Sequence, residues 1–123
     1  MKLSKNFSTD EKNVCCPCCN TFKFTKKSER QIKMVQKLRD AIDSPLKVNS
    51  WYRCKIYNAK VGGAKKSKHL LCIATDIRAR RGTKRRRLLL RFAAQIGFTG
   101  IGYYKNFIHL DSRPKPARWK GGY

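Results

Sequence analysis

Thirty lysines and arginines stand against seven aspartates and glutamates, a formal charge of +23 at neutral pH. Seven carboxylates cannot match thirty cations, and most of the cations are expected at the surface. The fold is therefore a modest apolar core under a cationic shell. The chain is 123 residues long and 41% hydrophobic, which suits one domain and argues against disorder throughout. A stretch of about 18 apolar residues does not occur, so no membrane span is expected. The opening MKLSKNFSTDEK lacks the apolar segment of a secretory leader, so none is expected. Such a surface attracts polyanions, whether nucleic acid, acidic lipid or anionic cell-wall polymer, and charge alone does not choose among them.

The scarcity of acids makes each one informative. They are Asp10, Glu11, Glu29, Asp40, Asp43, Asp76 and Asp111, and the only histidines are His69 and His109. The six cysteines stand at 15, 16, 18, 19, 54 and 72, four of them packed into CCPCC. No second CxxC pair follows at finger spacing. Three fates are open to Cys15, Cys16, Cys18, Cys19 and Cys54: a disulfide to Cys54, a structural metal, or free thiols.

The pattern divides the chain into a polar, turn-rich segment over 1–24 and a core over 25–123, together one domain. Ser28 and Gln31 have capping-box spacing, and Ile32, Val35, Leu38 and Ile42 recur at helical intervals, with Met34 and Ala41 beside them. Ser44-Pro45 ends that helix. Residues 46–53 and 72–77 read as strands. A second helix is predicted from about Thr83 to Ile96, burying Leu88, Leu89, Phe92, Ala93 and Ile96, with Gly97 as its stop. Two short strands follow over 98–104 and 106–110. The tail from Asp111 lacks periodicity, although Trp119 could fold back onto the body. The run Arg78–Arg87 is seven-tenths lysine and arginine. It is either a polyanion contact or a solvated loop entering a helix.

His69 and Asp76, at or near the ends of predicted strands, lie seven residues apart, and a bend between them can bring both side chains to one point. His109 and Asp111, two apart on a strand, share a face. Imidazole and carboxylate are zinc ligands, and a catalytic zinc needs three protein ligands and one open position. His69, Asp76 and His109 supply that number, though HxxxxxxD alone is a weak pattern.

The longer segments SWYRCKIYNAKVGGAKKSKHLLCIATDI (50–77) and GFTGIGYYKNFIHLDSRPKPARW (97–119) carry more. Their S-x-Y-R-x-x-x-Y-N, V-G-G-A, S-x-H-x-x-x-x-A-x-D and G-I-G-x-Y … F-I-H-x-D-x-R pieces occur in one order. Together they resemble the zinc D-alanyl-D-alanine metallopeptidase family. The closest likeness is to its compact peptidoglycan peptidases, often encoded by bacteriophages. The likeness spans roughly residues 3–120. It implies a small α+β domain of the Hedgehog/DD-peptidase type, an antiparallel sheet packed with helices. It implies His69, Asp76 and His109 as zinc ligands and Arg53 beside them, gripping a substrate carboxylate or oxyanion. The activity implied is hydrolysis of an amide bond involving a D-amino acid in peptidoglycan stem peptides or cross-bridges, as a carboxypeptidase or an endopeptidase. The place of action is then the bacterial cell wall, from a phage virion or host cell, with anionic wall polymer a further partner. The competing expectation is a non-enzymatic polyanion- or nucleic-acid-binding protein on the same fold, in which Trp51 and Tyr52 would stack on bases.

Two departures from the family pattern stand out. Cys72 occupies a position where glycine is common. Asn106 stands where better known relatives carry the acidic general base, three residues before the last histidine. Asp111 is the nearest acid. It either activates the water, the role expected first, or orients a metal ligand. Asp40 and Asp43 are the reserves.

Overall fold

The computed structural model describes residues 1–121; Gly122 and Tyr123, the end of the predicted core segment, lie outside the described residues. Helix α1 spans Lys26–Ile42. Its cap lies one turn earlier than the Ser28/Gln31 spacing predicts. Thr25 is the N-cap and Ser28 its reciprocal partner, the two side chains exchanging bonds of 3.0 and 2.8 Å with each other's backbone N–H. Gln31 is thereby freed to turn inward. It donates to Thr75 Oγ1 and the Leu110 carbonyl, both at 3.1 Å, and pins the helix to the sheet. Ile32, Met34, Val35 and Leu38 form the buried face as expected, whereas Ala41 is exposed.

The predicted strand over 46–53 shortens to β1, Val48–Ser50, because Trp51 leaves the ladder to fill the core. A six-residue helix, α2 (Lys55–Lys60), follows where no element was expected. His69 belongs to a 3₁₀ turn, Lys68–Leu71, rather than to a strand end. Cys72 closes that turn with φ +60°. That left-handed backbone is the physical reason a glycine suits the position. Strand β2 covers Ala74–Arg78, α3 Lys84–Ile96, β3 Gly100–Tyr103 and β4 Phe107–Asp111. Gly97 ends α3 at φ +106°, as its place in the sequence predicts. Leu89 and Ala93 are fully buried, while Leu88, Phe92 and Ile96 are half-buried.

The tail differs most from its reading. Ala117–Lys120 form β5, which runs parallel to β3, so the sheet is mixed. Its order is β1-β2-β4-β3-β5. The reason is local. A sheet whose edge is β3 offers unpaired backbone groups, and a short extended tail without strong periodicity can satisfy them.

The sheet has two unlike faces. Ile77, Ile101, Ile108 and Leu110 join the core with α1 and α3. Alternation sends Asp76, His109 and Asp111 to the other face. The N-terminal residues Phe7, Val14 and Phe22 pack into the same core, Phe7 and Phe22 edge-on to the buried ring of Trp51 at 5.8 Å. Trp51 is thus a core residue with no face for a base. Parts of the basic run are also committed inward. Arg86 is buried and donates to the carbonyls of Ala79 and Tyr104, and Arg85 reaches the Pro45 carbonyl at 2.6 Å. Among the described residues, no helix is long and apolar enough to cross a membrane.

Candidate metal centre and its cleft

The ladder register builds the site. Asp76 on β2 pairs directly with His109 on β4, and Gly102 on β3 flanks His109 from the other side. The 3₁₀ turn then brings His69 over Asp76. The two rings meet edge to face at 5.1 Å. Asp76 Oδ1 lies 2.9 Å from His109 Nδ1, and Oδ2 lies 3.2 Å from His69 Nε2. All three side chains are buried, and one donor atom from each falls within 4.8 Å of the others. The structure therefore brings His69, Asp76 and His109 together.

The hydrogen bonds fix which nitrogens face the centre. His69 Nδ1 is 2.6 Å from the Trp51 carbonyl, which can only accept, so Nδ1 carries the proton. Nε2 then presents a lone pair to a carboxylate oxygen, and it has no hydrogen-bond partner among the described residues. Two lone pairs facing each other in a buried pocket call for a shared cation. His109 is arranged alike: Nε2 donates to Asp111 Oδ2 at 2.8 Å, leaving Nδ1 toward the centre. Two imidazoles, each steered from behind, and a carboxylate can hold a metal ion.

Burial and neighbouring charge oppose each other at these groups. Burial alone would raise the Asp76 carboxyl, but the two histidines outweigh it and hold it well below the usual carboxylate range. Burial pulls His109 down, yet Asp111 and Asp76 raise it overall. Asp111 is fully buried. Burial would raise it too, but bonds from His109 and Arg113 keep it well below its ordinary value. Arg113 grips it from Nε at 2.9 Å, from Nη2 at 2.7 Å and from the backbone N–H at 3.1 Å. Asp111 thus reaches the centre through the His109 ring. The glycines of G-I-G make this possible. A side chain at Gly100 would strike the Asp111 carboxylate, and one at Gly102 would strike the Trp119 indole.

The centre opens on a cleft of about 580 Å³. Arg53 forms one wall. Its Nε donates to Ser50 Oγ at 3.0 Å and its Nη1 to Asn58 Oδ1 at 3.2 Å, leaving Nη2 3.5 Å from Asp76. The S-x-Y-R-x-x-x-Y-N spacing is hence a device for holding one guanidinium. Lys66, Lys68 and Arg113 add positive charge, and Tyr104, Phe107 and Trp119 form an aromatic wall. Trp119 lies 5.0 Å from the His109 ring and donates to the Tyr104 hydroxyl at 3.1 Å. Tyr104, Arg113 and Trp119 were not singled out as site residues from sequence. The tyrosine of G-I-G-x-Y and the arginine of F-I-H-x-D-x-R carried a motif signal; Trp119 was expected only to fold back onto the body.

Asn106 is exposed in the turn between β3 and β4. Asp40 accepts from Gln36 on α1 and Asp43 is the C-cap of that helix, and neither lines the cleft. Among the described lining residues Asp76 is the sole carboxylate. Cys72 is fully buried and its thiol is not in the metal cluster. Burial pushes it up to about 12.

The family described as Peptidase M15 matches residues 5–111. Comparison with curated proteins finds no match.

Proposed function

The chain belongs to the peptidase M15 family, and from that premise we propose that it is a zinc-dependent peptidase acting on peptidoglycan. The bond cleaved is an amide involving a D-amino acid, in stem peptides or cross-bridges. The observation that carries this reading is the buried His69–Asp76–His109 set, whose unpartnered His69 Nε2 faces a cationic cleft. Zinc held there supplies Lewis-acid chemistry at the scissile carbonyl.

The chain's own residues do the rest. Arg53, locked by Ser50 and Asn58, presents a planar fork to a substrate carboxylate or to the developing oxyanion. Lys66, Lys68 and Arg113 draw an anionic peptide into the cleft. Tyr104, Phe107 and Trp119 provide an apolar wall that suits a short alkyl side chain such as that of alanine. Asp111 is a positioning residue. By accepting from Nε2 it holds the His109 ring with Nδ1 toward the centre. Among the described lining residues no carboxylate stands free to take a proton, so a proton leaves through solvent.

The ordered motifs also resemble those of the compact, phage-encoded members of the family. Action at the bacterial wall fits the charge of +23, which would concentrate the protein on anionic wall polymer. Incubation of the purified protein with muropeptides, followed by mass spectrometry, tests the reading. Loss of a terminal D-alanine marks a carboxypeptidase, and separation of cross-linked dimers marks an endopeptidase. Intact muropeptides at full zinc loading reject both.

A further inference from the structure

The six cysteines sort into groups that the peptidase reading does not use. Cys15 turns toward the Thr9 carbonyl and Cys72 is sealed in the core. The other four converge. One Sγ from each of Cys16, Cys18, Cys19 and Cys54 lies within 4.8 Å of the rest. The Cys16–Cys18 sulfurs are 3.7 Å apart and the Cys18–Cys54 sulfurs 3.2 Å apart. An ideal tetrahedron of sulfurs about 2.3 Å from one ion has edges of about 3.8 Å; the Cys16–Cys18 separation is close to that, the Cys18–Cys54 separation is shorter, and the rest lie within 4.8 Å.

From this geometry we infer that Cys16, Cys18, Cys19 and Cys54 bind a second metal ion, a structural zinc held by four thiolates. The local fold supports it independently. Residues 16–19 have the C-x-x-C spacing of a zinc knuckle, with Cys18 as an added ligand. The turn closes through Asn20 N–H to the Cys16 carbonyl at 2.8 Å and Cys16 N–H to the Thr21 carbonyl at 2.9 Å. Asn20 takes the left-handed conformation, φ +51°, that this tight return requires. The fourth sulfur arrives from a distant part of the chain already oriented. Cys54 is the N-cap of α2, and its Sγ accepts from Tyr57 N–H at 3.4 Å. Cys54 N–H in turn donates to Cys16 Sγ at 3.4 Å. Backbone donors aimed at sulfur stabilise thiolates, as the strongly cationic chain also does.

The ligand set identifies the ion. Four soft sulfurs in a tetrahedron suit zinc or iron. Sulfurs this close enclose a single ion, since a cluster with bridging sulfides would hold them further apart. Four protein ligands leave no open position, so the role is structural. Its location gives that role a target. The ion would clamp the N-terminal segment to the residue after Arg53, at the start of the helix whose Asn58 holds the Arg53 guanidinium. It is therefore a staple behind one wall of the cleft.

The test is metal analysis of the full chain made with zinc under reducing conditions. About two zinc ions per chain are expected. His109→Ala should keep one, and X-ray absorption at its zinc edge should show only sulfur, at about 2.3 Å. Cys54→Ser should keep the other, while Cys15→Ser and Cys72→Ser should keep both. If Cys54→Ser does not fold, the His109→Ala spectrum decides alone. A His109→Ala protein without zinc, a nitrogen or oxygen shell around its ion, iron in place of zinc, or a Cys18–Cys54 disulfide under these conditions overturns the inference. Peptidase activity does not enter the readout. A sulfur-bound zinc in a chain that cuts no muropeptide would sink the functional reading and leave this one standing.

Discussion

The His–Asp–His centre and the cysteine knuckle are both metal-ligating clusters, yet they are built in opposite ways. The first rests on the sheet. Its ligands are buried and come from a 3₁₀ turn and two adjacent strands, and both histidines are steered by a partner behind: the Trp51 carbonyl for His69, Asp111 for His109. It offers three donors and faces a cleft. The second rests on a turn and a helix cap. Cys18 and Cys19 are exposed, four donors close the set, and the supporting bonds are backbone N–H to sulfur. An open three-donor site on a rigid sheet suits reaction, and a closed four-donor site on loops suits fastening.

The contrast breaks most visibly at His109. His109→Ala should abolish hydrolysis and remove only the sheet-borne zinc, by metal analysis and muropeptide turnover. Loss of both ions would remove the contrast and overturn the separate sulfur site.

Arg53→Lys keeps the charge but not the fork. Turnover should fall about 100-fold, in the range of a lost oxyanion donor, with both zinc ions retained. Wild-type turnover would remove Arg53 from the chemistry.

Asp111→Asn should weaken the sheet-borne zinc about 10- to 100-fold, with turnover recovering when zinc is added to saturation. The knuckle zinc should be unaffected. Turnover that stays low at saturating zinc would instead make Asp111 part of the proton path.

Gly100→Ala tests the packing that confines Asp111. The added methyl meets the buried carboxylate, and destabilisation of about 1–3 kcal/mol is expected from the urea midpoint. An unchanged midpoint would mean that β3 can yield there. The smallest effect is at Cys72. With its thiol pushed up to about 12 by burial, it should stay unalkylated in the folded protein at pH 8. Rapid modification would show that the 3₁₀ turn opens.

Much of the centre was legible beforehand because the signals were local. Helical spacing marked α1 and α3, Gly97 marked a C-cap, and strand alternation put His109 and Asp111 on one face. The resemblance carried by the ordered motifs implied that Arg53, His69 and Asp76 join them. The misreadings share a cause. The helix cap moved to Thr25, α2 was missed and β5 went unseen because each depends on what distant residues offer: a core slot for Gln31, a thiol at the head of α2, an open sheet edge beside β3. Trp51 is the sharpest case. Nothing in its neighbourhood says that its ring belongs to the core or that its carbonyl sets the tautomer of His69.

By itself, then, the sequence determined the chemistry available: two imidazoles, few carboxylates, a run of thiols and an excess of cations. It also determined the two amphipathic helices, whose periodicity is a property of neighbours three and four apart. Tertiary structure alone decided which atoms meet. Asp111 lies in the same strand as His109, but Arg113, Gly100 and burial determine that it faces the ring rather than the cleft. Cys54 lies 35 residues beyond Cys19, and only the packing of the N-terminal segment around Trp51 brings their sulfurs within 4.8 Å. Local propensity is written in adjacent residues. A metal site needs donors fixed to within tenths of an ångström, and only the packed core supplies that rigidity.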